Sequence, residues 1–237
     1  MIMSKISRMK TGWWAFELPG YRPHPRPSTY SLFSYEELPP IQATLEDDFR
    51  WLKSEPIQQR AMAEGGYSDG SKPDLGKLSG IVAQLDAKPP QSFMTFMGSV
   101  DLHKRLRSGA DCYFDVADHA TKTKTGFLIH FMSDSQWCVH WHIHVDYSGE
   151  HCVLASLDPY GFASVDADAD TDRAYPQDEI DLEREEIWLC SPTFKEFIYR
   201  FWLENEILFA LVVDKRPLTV LQQAYVNWYL RSTNKAS

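Results

Sequence analysis

Three histidines stand at alternate positions, His140, His142 and His144, followed by Asp146 and, beyond a Ser148-Gly149 pair, by His151. Imidazoles and a carboxylate are a ligand set for zinc and other first-row metals, and histidine is the side chain whose charge changes near neutral pH. Either chemistry requires the side chains to share a surface. In an extended strand alternate side chains do share a face, but they sit roughly 7 Å apart, so three in a row diverge unless the strand bends. No H-E-x-x-H helix, C-x-x-C pair, G-x-S-x-G elbow or phosphate-binding loop accompanies them. The expectation is a polar, water-facing side of a sheet, with no metal, no cofactor and no catalytic residue. A metal-dependent enzyme using His140, His142, His144, Asp146 and His151 is the alternative.

The second feature is charge. The formal net charge is −9, and residues 166–186 read DADADTDRAYPQDEIDLEREE. Ten acids against Arg173 and Arg184 give −8 for this stretch alone. A solvated loop is its plainest meaning. Calcium is a poor fit: Asp168, Asp170, Asp172 and Glu179 match positions 1, 3, 5 and 12 of an EF-hand loop, but Arg173 occupies the glycine position. The functional reading is an electrostatic docking surface for a basic protein, with Asp166, Asp168, Asp170, Asp172, Tyr175, Asp178 and Glu179 as contact residues. Trp188 flanks the acids and is expected to face the core. Direct binding to nucleic acid is disfavoured, because phosphates need a basic footprint.

The histidines must be positioned by a β-hairpin, SQWCVHWHIHVDYSGEHCVLAS. Its period of two sends Trp137, Val139, Trp141, Ile143 and Val145 one way and Cys138, His140, His142, His144 and Asp146 the other. A two-residue Ser148-Gly149 turn would set Asp146 opposite His151 and bring His151 to the histidine face. The hairpin in turn needs a partner for its aromatic side. SPTFKEFIYRFWLENEILFALVV supplies one, a helix capped by Ser191 or Thr193. Phe194, Phe197, Ile198, Phe201, Leu208, Phe209 and Val212 form one face of it. Asn205 lies within that stripe and is expected to tie the helix to a neighbouring backbone. Glu196, Arg200 and Glu204, spaced four apart, are expected to pair on the surface.

The rest of the chain sets organisation. Residues 1–40 read as an extended arm, dense in proline and aromatics, whose rings pack on the remainder. Residues 41–237 read as a single domain. Helices are expected at 41–55 and 57–64, broken at Pro56, then at 75–86, 92–97, 100–107 and about 219–230. Strands are expected at 110–116, 126–132, 137–146, 151–157 and 186–189. This is an α+β pattern: a mixed, largely antiparallel sheet of five to six strands with helices packed on one face. With 43% hydrophobic residues in 237, the chain can bury a sizeable core. Cys112, Cys138, Cys152 and Cys190 have no zinc or redox spacing and are expected to be free, mostly buried thiols. No apolar run reaches the ~20 residues that span a bilayer, and no secretory leader is visible, so a cytoplasmic protein is expected.

PPQSFMTFMGS at 89–99, GFLIHFMSD at 126–134, WCVHWHIHVDYSGEHCVLAS at 137–156 and SPTFKEFIYRFWLENEILFAL at 191–211 resemble the SUKH superfamily of SMI/KNR-type domains. The similarity covers about 86–212. It departs from the family pattern after Met97, where Gly98-Ser99 stands in place of an Asn-Gly-Gly-like turn. The resemblance implies an α+β fold and a non-enzymatic protein-binding role. Many such bacterial domains are immunity proteins that neutralise nuclease-type toxins, and some eukaryotic members are regulatory scaffolds.

Overall fold

The structure is a computed structural model and describes residues 9–22, 30–41, 43–59, 61–62, 75–162, 179–183 and 185–233. In chain order these form β1 (Lys10–Thr11), β2 (Trp13–Ala15), β3 (Ser31–Phe33), α1 (Arg50–Lys53), α2 (Leu75–Ala83), α3 (Gln91–Met97), α4 (Val100–His103), β4 (Tyr113–Phe114), β5 (Thr121–Thr123), β6 (Gly126–Ser133), β7 (His140–Asp146), β8 (His151–Ser156), β9 (Ile187–Ser191), α5 (Phe194–Leu208) and α6 (Val220–Thr233). The main sheet has seven strands in the order β1-β9-β8-β7-β6-β4, with β5 also paired to β6. Only β1 and β9 run parallel. The fold is therefore α+β with a mixed, mostly antiparallel sheet and packed helices, as the patterning predicts. The additional strands β1 and β5 are too short to show alternation.

Helix α5 covers one face of the sheet. Thr193 caps it, accepting from the Glu196 amide at 3.2 Å. Phe194, Phe197, Ile198 and Phe201 pack against Ile129, Phe131, Trp141, Ile143 and Val153 in one continuous apolar core. Asn205 has the expected tying role. Its Oδ1 accepts from the Gly109 amide at 2.8 Å, and its Nδ2 donates to the Phe201 carbonyl at 2.8 Å. Asn205→Leu removes both bonds and should cost roughly 1–3 kcal/mol, read as a shift in denaturant midpoint.

The expected surface ladder on α5 does not form. Arg200 and Glu204 are buried, because the N-terminal arm and α6 close over that side of the helix. Glu204 instead receives Arg22 Nη1 at 2.6 Å and Nη2 at 2.8 Å, Trp13 Nε1 at 2.9 Å and Tyr225 OH at 2.7 Å. Arg22 Nη1 also donates to Tyr229 OH at 2.8 Å, so the arm, α5 and α6 meet in one polar knot. The arm forms the two-stranded β2–β3 pair, and its Trp13, Leu18 and Tyr30 join the core.

The long helix expected over 41–55 shrinks to Arg50–Lys53. Phe49 adopts a left-handed backbone conformation, φ 54°, that sends its ring among Phe96 and Phe194. Tertiary burial of one aromatic overrides local helix preference there. Residues 57–59 are not helical either. The remaining segments shift by a few residues: α2 ends at Ala83, α4 at His103 and β4 covers only Tyr113–Phe114. Cys112, Cys152 and Cys190 are buried free thiols and Cys138 is an exposed one.

Candidate functional site: a buried histidine face

The hairpin register differs from the expected one by a single residue. Val145 pairs with His151, and the Asp146 amide donates to the Glu150 carbonyl at 2.8 Å. The turn therefore holds three residues, Tyr147 to Gly149, with Gly149 at φ 85°. Asp146 drives this choice: its Oδ1 accepts from the Ser148 amide, the Ser148 hydroxyl and the Glu150 amide at 2.8, 2.6 and 2.9 Å. A one-residue slip turns every side chain of β8 over. His151 thus lies on the α5 side, and Cys152, Leu154 and Ser156 join the histidine face.

That face is not water-facing. His140 and His142 are fully buried, and His144 nearly so. Tyr160 and Phe162 after β8, and Ile180 before β9, lie over them, and Leu128, Cys152, Leu154, Tyr160, Ile180 and Ile187 make a second, smaller apolar cluster there. A sheet covered on both sides must bury its polar residues too. The alternation was legible but the cover was not, since residues 157–162 and 179–186 carry no periodic pattern.

A fourth histidine belongs to the group. His130 on β6 is the cross-strand partner of His142, and its ring centroid lies 5.1 Å from His142 and 5.8 Å from His140. The usable signal was the alternation of Leu128 and His130 on the neighbouring strand. Ser133 Oγ lies 3.2 Å from His130 Nε2 and 2.9 Å from His140 Nδ1, bridging the two rings. Ser156 Oγ lies 2.9 Å from His142 Nε2 and itself donates to the Asp158 carbonyl. That donation uses the only hydroxyl proton, so His142 carries its proton on Nε2 and a bare lone pair on Nδ1. His130 Nδ1, His140 Nε2 and His142 Nδ1 have no hydrogen-bond partner among the described residues. His144 turns away from this group, to Thr123 Oγ1 and Thr125 Oγ1 at 3.3 and 3.2 Å.

Aromatic rings complete the enclosure. Phe162 sits 4.8 Å from the His130 ring, Tyr160 5.8 Å from His142, and Trp137 5.4 Å from both His140 and Phe162. Trp137 was expected to face the core with Trp141. Instead it lies outside β7 at φ 56° and is 43% exposed. The turn responsible is held by Asp134, whose Oδ1 accepts from the Cys138 and Val139 amides at 2.7 and 2.9 Å. A tryptophan in the left-handed region is strained, and such strain persists only where the surroundings over-determine it. Gly161 positions Phe162: at φ 91° a side chain there would meet the His119 carbonyl at 2.4 Å.

Burial sets the electrostatics. It pushes His140 and His144 down to about 4 and His142 to about 3. His130 falls well below its ordinary value through burial, then through the fields of His142, His140 and Lys77. At neutral pH the face is a set of uncharged imidazoles. Ser133 with two histidines has the elements of a nucleophile and base, but both rings and the hydroxyl are fully buried, and no carboxylate among the described residues orients either ring. The five residues of the metal alternative are not brought together: His151 is on the opposite face, Asp146 closes a turn and His144 faces threonines. Among the described residues no group of three or more His, Cys, Asp or Glu could hold a metal ion.

Of the expected docking residues, Asp166, Asp168, Asp170, Asp172, Tyr175 and Asp178 lie outside the described residues, as do the acids of the calcium pattern except Glu179. Glu179 is exposed, 3.8 Å from Lys122 Nζ, and Asp181 accepts from Lys124 Nζ at 2.6 Å. Trp188 is buried against Trp14, on the core side. No helix among the described residues is long and apolar enough to cross a membrane. Comparison of the chain with protein-family models, with curated proteins and with solved structures finds no match.

Proposed function

We propose that this chain is a non-enzymatic, SUKH-like protein-binding domain whose partner presents a basic surface. A nuclease-type toxin neutralised by an immunity protein is one such partner, since a nuclease must carry a basic groove for its own substrate. A regulatory scaffold contacting a basic protein is the other form of the same reading. The observation supporting it is where the acidic stretch is attached. Phe162, just before it, meets His130 edge-on, and within it the Ile180 amide donates to the Lys122 carbonyl at 2.9 Å. Both attachments are on the histidine side of the sheet, away from α5. The stretch 166–186 carries −8, and clustered charge of one sign raises encounter rates with the opposite sign.

Replacing Asp166, Asp168, Asp170 and Asp172 together with Asn should slow association with a partner recovered by pull-down by about tenfold or more at 0.1 M salt, with little change in dissociation. At 1 M salt, where the Debye length is ~3 Å, the two proteins should associate at similar rates. An association rate and salt dependence identical to the parent would show that the stretch is a solvated loop.

A further inference from the structure

The histidine face has a property that the docking role does not use. His130, His140 and His142 are fully buried on two central strands, within ring-contact distance of one another. Among the described residues their hydrogen-bond partners are the hydroxyls of Ser133 and Ser156, with no carboxylate among them. The cover above them, residues 158–162, rests on the rings of Tyr160 and Phe162, on Ser156 Oγ, and on the Gly161 carbonyl, which accepts from the Asp118 and His119 amides at 2.9 and 3.0 Å.

We propose that His130, His140 and His142 form an acid-operated latch: protonating the group frees residues 158–162 from the sheet while the α5 side of the fold stays packed. One imidazolium placed here loses water and gains no counter-charge from the described residues, and a second would lie about 5–6 Å from the first in a dry environment. Opening the cover hydrates all three rings together, so it relieves both penalties.

Among the described residues, the charged and titratable groups around the cluster do not supply the missing counter-ion. From the turn before β7, Asp134 engages the Cys138 and Val139 amides. From α2 comes Lys77, a cation that disfavours protonation of His130 and is 2.9 Å from Asp118. From β4, the Tyr113 hydroxyl receives Trp137 Nε1. From the cover, Asp158 offers its carbonyl to Ser156, and Tyr160 reaches Glu185 at 3.5 Å. From β7, His144 is bonded to Thr123 and Thr125.

The sign follows from the closed-state values lying below those of exposed histidine. Such rings favour the closed cover at neutral pH, and this contribution is lost as pH falls below about 6.5 toward the closed-state values. His142, lowered from 6.5 to about 3 by burial and then by His140, should alone raise the open-to-closed ratio about 25-fold between pH 7 and pH 5. His140 acts in the same direction.

Hydrogen exchange of the whole chain, corrected for intrinsic rates, tests this. Protection of residues 158–162 should fall about 25-fold or more from pH 7 to pH 5, with α5 and β8 amides changing far less. His130→Leu/His140→Leu/His142→Leu should keep the cover protected at pH 5. Constant protection of 158–162 overturns the latch, as does loss in step with α5 or equal loss in the triple variant. Should that variant not fold, ring 15N shifts of the parent protein decide. Rings that stay neutral until the cover opens support the latch, and rings that titrate beneath a closed cover refute it.

Discussion

Glu204→Ala should lower stability by about 3–5 kcal/mol, the range for removing one partner of a buried ion pair. The side chains of Arg22 and Glu204 are 3% and 2% exposed, so water cannot substitute for what is lost. Truncation strands the Arg22 guanidinium, whose Nε already lacks a partner among the described residues. It also frees the Trp13 indole N–H and the Tyr225 hydroxyl, both buried. Burial pushes the Glu204 carboxyl up, but the Arg22 charge and its hydrogen bonds, with those of Tyr225 and Trp13, hold it below the ordinary range. A carboxyl lowered in this way contributes stability above its unfolded value and loses it as pH falls through the folded one. The paired variant Arg22→Met/Glu204→Leu should cost clearly less than the two single changes summed, because no charge is left alone. Urea melts of Glu204→Ala, of Arg22→Met, of Glu204→Leu and of the paired variant would measure this, and a loss below 1 kcal/mol for Glu204→Ala would mean that the knot does not hold the arm.

Sequence patterning located the parts of this fold that repeat at short range. The alternation from Val139 to Val145 and the apolar stripe of α5 identified the sheet, its partner helix and the interface between them. Asn205 was legible for the same reason: a lone amide within an apolar stripe has to find a backbone. What patterning missed has two physical causes. One is register. Asp146 can fold a three-residue turn as readily as Ser148-Gly149 suggests a two-residue one, and that single step moved His151 to the other face. The other is distance along the chain. The i,i+4 neighbours of Glu204 point to the surface, yet its partner Arg22 is 182 residues away. The cover over His130, His140 and His142 is non-local in the same sense, so a buried face carries the alternation of a wet one. Local periodicity reports which side chains share a surface, and says nothing of what is laid over that surface.

Phe197→Ala should cost about 3–5 kcal/mol, at the large end for core truncations. The Phe197 ring is fully buried where three layers meet. It lies 5.5 Å from Trp13 of the arm, 5.5 Å from Phe131 of β6, 6.4 Å from Trp141 of β7, and 6.1 Å from Phe201 one turn along α5. Removing it opens a cavity lined by rings that are themselves fixed. Trp13 is held by Glu204, and Phe131 is locked between Phe93 and Phe194. Collapse into the space is therefore limited, and limited collapse is what makes a truncation expensive. Phe197→Leu should cost less, since much of the volume remains. Val212→Ala, at an exposed position just beyond α5, should stay within about 0.5 kcal/mol and serves as the control. Because Phe197 touches Trp13, the Ala variant should also loosen β2, seen as faster amide exchange at residues 13–15 than in the parent under conditions where both are folded. A Phe197→Ala protein that unfolds within 1 kcal/mol of the parent, with β2 exchange unchanged, would show that α5 and the sheet do not share one interface with the arm.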